Sequence, residues 1–382
     1  MPGRCYGRRL STEYGSDPMP TDAAVSTDEV SFEIKGGVGL ITLQRPKALN
    51  ALTQGMCVGI DAALVAWAAD PAVAMVVVRG SGDRAFCAGG DVRAVYEDGL
   101  ARKRGESDGA LIRAFFFDEY RMNRRIKTFP KPYIALIDRI TMGGGVGLSV
   151  HGSRRVATER TVLAMPETGI GLFPDVGASY ALPRLPGEIG VYLALTGARV
   201  MGGDVLNVGF ATDLVAGERL DDLLGELIAI AGGDTHGAID AILRNYAIEP
   251  GDGALLQHRA VIDRCFAHDR VEAILTALDA DGGAFAADAA ATIRTMSPTS
   301  LKATLAEMRR GRALGFDDCL IMEYRLTQTI LAGHDFYEGI RAVLVNKDRN
   351  PKWNPATLDA VDDAAIEALF AAPLDGDLTF DD

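Results

Sequence analysis

The sequence predicts an α/β fold that runs into a helical C-terminal region. Two observations carry this. Strand and helix patterns alternate from Val30 to about Val150, and from about Asp221 onward the pattern is mostly helical. Alternation of that kind marks crossover connections between strands. The expected organisation is a disordered tail over 1–28, an α/β core over 29–215, and a helical C-terminal region and tail over 216–382.

Residues 1–27 are rich in Ser, Asp, Pro, Thr and Gly and lack periodicity, which reads as a disordered tail. Arg4, Arg8 and Arg9 raise a second reading, an organelle transit peptide, against which Glu13, Asp17 and Asp22 argue. A third reading takes Met19 as the start and the preceding residues as an extension. Val30, Phe32 and Ile34 alternate, Gly36-Gly37 turns the chain, and Val38, Leu40 and Ile41 to Leu43 continue: a β-hairpin. Met56, Ile60, Leu64 and Trp67 recur at helical spacing, so 53–69 is an amphipathic helix. Ala74–Val78 is a short apolar run ended by Gly80, and reads as a buried strand. A helix follows over Leu111–Ile126, then a second buried strand over Tyr133–Ile137. The stretch Thr141–Val150 carries three consecutive glycines near its start. Beyond Asp221, the Gly-Gly and Asp-Gly breaks at 232–233 and 281–283 separate helices, and no internal repeat is visible.

The 382 residues are 48% hydrophobic and 24% charged, an ordinary globular composition. The 39 Lys and Arg against 52 Asp and Glu leave a formal net charge of −13. No basic run is long enough to track phosphates, so nucleic acid is not an expected partner. The longest apolar stretches, such as Ala62–Ala69, fall well short of a membrane span. The five cysteines are scattered and the five histidines dispersed, so neither a disulfide framework nor a structural metal is expected.

The common nucleotide and nucleophile motifs are missing: there is no GxxxxGK[ST] and no GxGxxG between strand and helix, and Gly147–His151 fails the GxSxG pattern at its last position. Three glycine-rich segments remain. Ala85–Val92 and Thr141–Gly147 each follow a strand and precede a helix, where free backbone N–H groups are found. If the two met, they would form an oxyanion hole from main chain, and glycine lets a carbonyl approach closely. The plainer reading is that these glycines only make tight turns. The third segment, Met165–Gly177, holds Glu167 and Asp175 eight residues apart among apolar neighbours. Such carboxylates can have the shifted pKa that acid–base work requires; otherwise Glu167 caps a helix and Asp175 is a turn acid. Glu119 by itself reads as a solvated helix acid.

These residues resemble a known family. Gln44-Arg45-Pro46-Lys47-Ala48-Leu49-Asn50-Ala51-Leu52, Ala85–Val92, Met142–Gly147 and Met165–Gly177 are similar to the corresponding segments of the crotonase (enoyl-CoA hydratase/isomerase) superfamily. Met296–Lys302, Gly333–Ala342 and Pro351-Lys352-Trp353 resemble its 3-hydroxyisobutyryl-CoA hydrolase branch, so the likeness covers about 29–356. The resemblance implies a spiral of repeated ββα units and subunits that often trimerise, so a homo-oligomer is an open expectation. It implies that the Gly90 and Gly144 N–H groups hold the thioester oxygen of an acyl-CoA, and that main-chain atoms near Ala88 hold the adenine. Lys47 and Arg93 stand as phosphate neighbours or as plain surface charges. Hydratases of the family use two glutamates; the place of the first is Gly147 here, and that of the second is Glu167. Asp175 stands where hydratases tend to have glycine.

The resemblance therefore implies hydrolysis of a short 3-hydroxyacyl-CoA, foremost 3-hydroxyisobutyryl-CoA of valine degradation. Glu167 either attacks to form an anhydride or serves as base to a water. Asp175 binds the substrate hydroxyl or protonates the departing thiolate, and Glu119 contacts the hydroxyl end. No cofactor is implied, because CoA is part of the substrate. Two alternatives stay open: an enoyl-CoA hydratase or isomerase, and a non-catalytic acyl-CoA-binding protein. The implied compartment is cytoplasmic for a bacterial source and the mitochondrial matrix for a eukaryotic one.

Overall fold

The computed structural model describes residues 28–230, 235–374 and 376–380. The tail and leader readings of 1–27 and the break at 232–233 lie outside the described residues.

The expected hairpin is present. β1 (Val30–Lys35) and β2 (Val38–Leu43) pair antiparallel with Lys35 opposite Val38, and the two turn glycines both take positive φ. A two-residue turn of that hand favours glycine at both places. The chain continues through β3 (Met75–Gly80), β4 (Ala85–Cys87), β5 (Tyr133–Ile137), β6 (Ile140–Met142), β7 (Arg154–Thr158), β8 (Val162–Ala164), β9 (Val200–Met201) and β10 (Asp213–Val215).

These strands alternate between two sheets. The large sheet has the order β1-β2-β3-β5-β7-β10 and the small one β4-β6-β8-β9. From β2 onward every neighbour in the large sheet is parallel. The pairs β3/β4, β5/β6 and β7/β8 each send one strand to the large sheet and the next to the small one. This is the spiral that the resemblance implied.

Both faces of the large sheet are buried, which is why its strands read as continuous apolar runs. Val76, Val78, Ala135, Ile137 and Ala157 face the main core. Met75, Val77, Ile134, Leu136 and Val156 face the other way, under the helices Leu220–Ile228 and Thr235–Tyr246. Successive side chains of a strand point to opposite sides, so one run serves two cores.

Four helices position the site. α1 (Gln54–Ala69) starts where Thr53 Oγ1 accepts from the Met56 N–H at 3.3 Å, and it buries Met56, Ile60, Leu64 and Trp67. α2 (Val92–Lys103) follows β4. α3 (Ala110–Thr128) presents Ile112, Phe115, Phe116, Glu119, Tyr120, Asn123 and Ile126 inward. α4 (Gly144–Val150) is short and almost wholly buried. Glu119 is thus not the solvated helix acid its position alone suggested: it is 2% exposed. The reason is its place in the apolar stripe of α3, at the 3–4 residue spacing that faces the core.

Candidate active site

The two glycine loops meet because β4 and β6 lie side by side and parallel, with Ala85 opposite Ile140 and Cys87 opposite Thr141. Their ends deliver Gly89-Gly90 and Gly143-Gly144 to one place. A Cβ added to Gly144 would lie 3.2 Å from the Gly90 amide nitrogen. One added to Gly145 would lie 2.2 Å from the Cys87 carbonyl oxygen. No residue larger than glycine allows this approach.

Gly90 and Gly144 point their N–H groups at no acceptor among the described residues. Around them the loop is tightly tied. Leu52 N–H donates to Gly89 O at 2.8 Å and Asp91 N–H donates to Leu52 O at 2.8 Å. The Gln44–Leu52 segment is the brace. Asn50 accepts from the Arg45 N–H at 3.0 Å and donates to Ser81 O and Ala85 O, both at 2.9 Å. Arg45 donates to Ala51 O at 2.6 Å and pairs with Asp91 at 3.0 Å.

Two carboxyls lie against the paired loops, and a third, Asp175, acts on both by its charge. A Glu119 carboxyl oxygen would be 2.5 Å from a Cβ on Gly144, and a Glu167 oxygen 3.0 Å from one on Gly143. Asp175 accepts from the Tyr120 hydroxyl at 2.8 Å. All three acids are buried. Burial, then the charge of Asp175, pushes both Glu119 and Glu167 well above the usual carboxylate range. Burial raises Asp175 to about 6, with the Tyr120 hydrogen bond opposing the rise. One oxygen of Glu119 and one of Glu167 are buried without a partner. Among the described residues no basic group offsets them, so burial favours their protonated forms.

The Asp175 loop is held from behind. Val176, at φ 57°, is a non-glycine residue in the left-handed region. Its carbonyl oxygen accepts from His151 Nε2 at 2.7 Å. Glu323, on the helix Phe316–Ile330, accepts from the Gly177 N–H at 2.7 Å and from the Ser179 N–H and hydroxyl at 2.9 and 2.5 Å. Burial raises Glu323 to about 8 despite those donors. On the other flank Ser297 N–H donates to Thr168 O at 3.2 Å, and Ser297 Oγ donates to Asp335 at 2.6 Å. The C-terminal helices thus fix the segment that carries Glu167 and Asp175.

Gly147 departs from the hydratase pattern for a steric reason as well. A Cβ there would lie 2.6 Å from Val176 Cβ and 2.9 Å from Asn123 Nδ2. A side chain at this position would overlap Val176 from its first carbon. Ala88 uses its N–H on Leu49 O at 3.0 Å. Lys47 is exposed, and Arg93 is exposed and paired with Glu97 at 3.0 Å. Neither basic residue touches the carboxyl cluster.

Sequence reasoning missed Tyr120, Asn123, Glu307 and Glu323. Glu307, on the helix Pro298–Gly311, is fully buried with both carboxyl oxygens unpartnered among the described residues. A signal was present: each is a polar group inside an apolar helical stripe, and Asn123 follows Glu119 by one turn. Glu323→Ala leaves the Gly177 and Ser179 donors unpaired, at about 1–3 kcal/mol for each. Urea denaturation should show that loss; an unchanged midpoint would mean that the loop is held by other contacts.

Comparison with known proteins identifies the family. Residues 38–370 match the family model described as enoyl-CoA hydratase/isomerase. A Danio rerio protein named 3-hydroxyisobutyryl-CoA hydrolase, mitochondrial, is 45% identical over 379 residues, 98% of this chain and 94% of that one. The protein of the same name from Gallus gallus is 47% identical over 355 residues, 92% of this chain and 90% of that one. Among solved structures, a carnitinyl-CoA dehydratase from Mycobacterium thermoresistibile superposes with a TM-score of 0.86 at 45% identity, covering 93% of this chain and 99% of that one. An enoyl-CoA hydratase from Rhodobacter sphaeroides gives 0.82 at 41% identity, covering 92% and 100%. With its spiral fold, paired glycine loops and near-full-length relatives, the chain belongs to the enoyl-CoA hydratase/isomerase (crotonase) family, in its 3-hydroxyisobutyryl-CoA hydrolase branch.

Proposed function

We propose that the chain hydrolyses the thioester of 3-hydroxyisobutyryl-CoA to 3-hydroxyisobutyrate and CoA, the step named by its curated relatives. The observation that carries this is the placement of Glu119 and Glu167 against the paired glycine loops, whose Gly90 and Gly144 N–H groups are unengaged, with Asp175 close enough to act on both acids by its charge. The thioester oxygen accepts from Gly90 and Gly144. Charge that builds on it in the tetrahedral state is stabilised there, at about 2.7–4 kcal/mol per donor. Glu167 supplies the single carboxylate at the carbonyl carbon. It either bonds to that carbon, expelling the CoA thiolate and leaving an anhydride for water to open, or takes a proton from an attacking water. Asp175 returns a proton to the thiolate. Glu119 closes the acyl end. No cofactor enters, since CoA is part of the substrate. The Ala88 carbonyl is left to accept from the adenine, with Lys47 and Arg93 nearest to the phosphates.

Two of the most similar solved structures carry hydratase and dehydratase titles, so the lyase reading needs an answer. Hydration across a C=C bond in this family draws on a second acid at the place of Gly147. A Cβ there would overlap Val176, which weighs against it. A pure binding protein would gain nothing from three buried acids without a basic partner, since such groups destabilise a fold and are kept for chemistry. The compartment follows the source: the mitochondrial matrix for a eukaryotic one, in line with relatives named mitochondrial, or the cytoplasm for a bacterial one.

Incubation with 3-hydroxyisobutyryl-CoA and a thiol reagent should show CoA release. Loss of the enoyl absorbance of crotonyl-CoA without CoA release would instead favour the hydratase. Glu167→Gln should lower kcat by about 10²–10⁴-fold with binding little changed. A retained rate would remove Glu167 from the chemistry.

Catalysis needs one carboxyl of the Glu167–Asp175 pair ionised and the other protonated, so kcat/KM should rise as pH passes about 6, where the pair loses its first proton, the remaining one being the proton that Asp175 delivers to the thiolate. The Tyr120 hydroxyl favours the Asp175 carboxylate and holds this value down. Tyr120→Phe should therefore move the acid limb to higher pH. An unmoved limb would assign it to another group.

A further inference from the structure

We infer that Asn123 receives the 3-hydroxyl of the acyl group and sets the preference for hydroxyacyl over plain acyl thioesters. The inference deepens the hydrolase reading and rests on it. Asn123 is 0% exposed, yet neither its Nδ2 nor its Oδ1 has a hydrogen-bond partner among the described residues. A buried amide with both ends unpaired is rare in a native core and destabilises it. Such a group is kept when something else completes it.

Its position says what that is. Asn123 lies one turn along α3 from Glu119, whose carboxyl abuts Gly144. Its Nδ2 lies 2.9 Å from the place of a Cβ on Gly147. Gly147 stands three residues beyond Gly144 in α4, about 4.5 Å along the helix axis at 1.5 Å per residue. The β-hydroxyl oxygen of the substrate is three covalent bonds from its carbonyl carbon, a matching reach. With the carbonyl held at Gly144, that oxygen comes to the Asn123 amide. A hydroxyl both donates and accepts. An amide offers one acceptor and two donors at a single side chain, so Oδ1 accepts from the hydroxyl hydrogen or Nδ2 donates to its oxygen. An acyl group without the hydroxyl leaves the amide unpaired, which is how a polar pocket rejects a lacking analogue.

The test compares kcat/KM for 3-hydroxyisobutyryl-CoA and isobutyryl-CoA in the wild-type protein and in Asn123→Leu, with thermal unfolding of each. The leucine keeps the volume and removes the polar ends. The hydroxyacyl substrate should lose on the order of 10–100-fold, while isobutyryl-CoA changes by less than about threefold, so the discrimination collapses. Should the leucine variant fail to fold, Asn123→Ala is read in the same way. Equal losses on both substrates, or no loss on either, overturn the inference while leaving the hydrolase reading intact. Wild-type protein that releases CoA from neither thioester overturns the hydrolase reading itself.

Discussion

Contact between two glycine loops, with no side chain between them, is the constraint on which the site depends. The ends of β4 and β6 bring Gly90 and Gly144 within the width of a methyl group, which is what the proposed sharing of one acceptor by their N–H groups requires. Much of the spiral serves that approach. The small sheet sets the register of the two loops, and Asn50 and Arg45 hold the Gly90 side in place. Main-chain donors fixed in this way need no reorganisation as charge develops, which is the source of their catalytic strength.

The second constraint is electrostatic. Glu119, Glu167 and Asp175 are buried together with no cation among the described residues to balance them, and each is raised by burial. Behind them, Glu307 and Glu323 extend the same condition into the C-terminal helices. Glu307 is raised by burial first and by the charge of Glu323 second. Proteins hold such groups at a cost in stability, and here the cost is concentrated where an acid and a base must exchange a proton. The helical C-terminal region therefore braces the proposed site: it supplies Glu323 beneath the Asp175 loop and Ser297 beneath the Glu167 turn.

Elements with a long periodic pattern were legible in the sequence. The hairpin over Val30–Leu43 follows from alternation, the helix α1 from helical spacing, and the strand Tyr133–Ile137 from a short apolar run. The glycine loops, Glu167 and Asp175 stood out by composition, and the family resemblance gave them roles. The short strands β4, β6, β8 and β9 did not stand out. Each has two or three residues, too few for a period of two to show, and each exists because a neighbouring strand completes it. Tyr120 and Asn123 escaped for another reason. A tyrosine or an asparagine in a helix is unremarkable until the fold shows which face is buried. Glu119 illustrates the same point: its chemistry depends on neighbours distant in sequence, Gly144 and Asp175.

The central claim concerns polarisation of one carbonyl by two peptide N–H groups. Its most direct measurement is the infrared stretch of an isotope-labelled thioester carbonyl in an acyl-CoA bound to Glu167→Gln, which prevents turnover. Two strong donors on the oxygen should move the band to lower frequency than in water. A band at or above the aqueous position would show that the Gly90 and Gly144 amides do not hold that oxygen, and the account would fail.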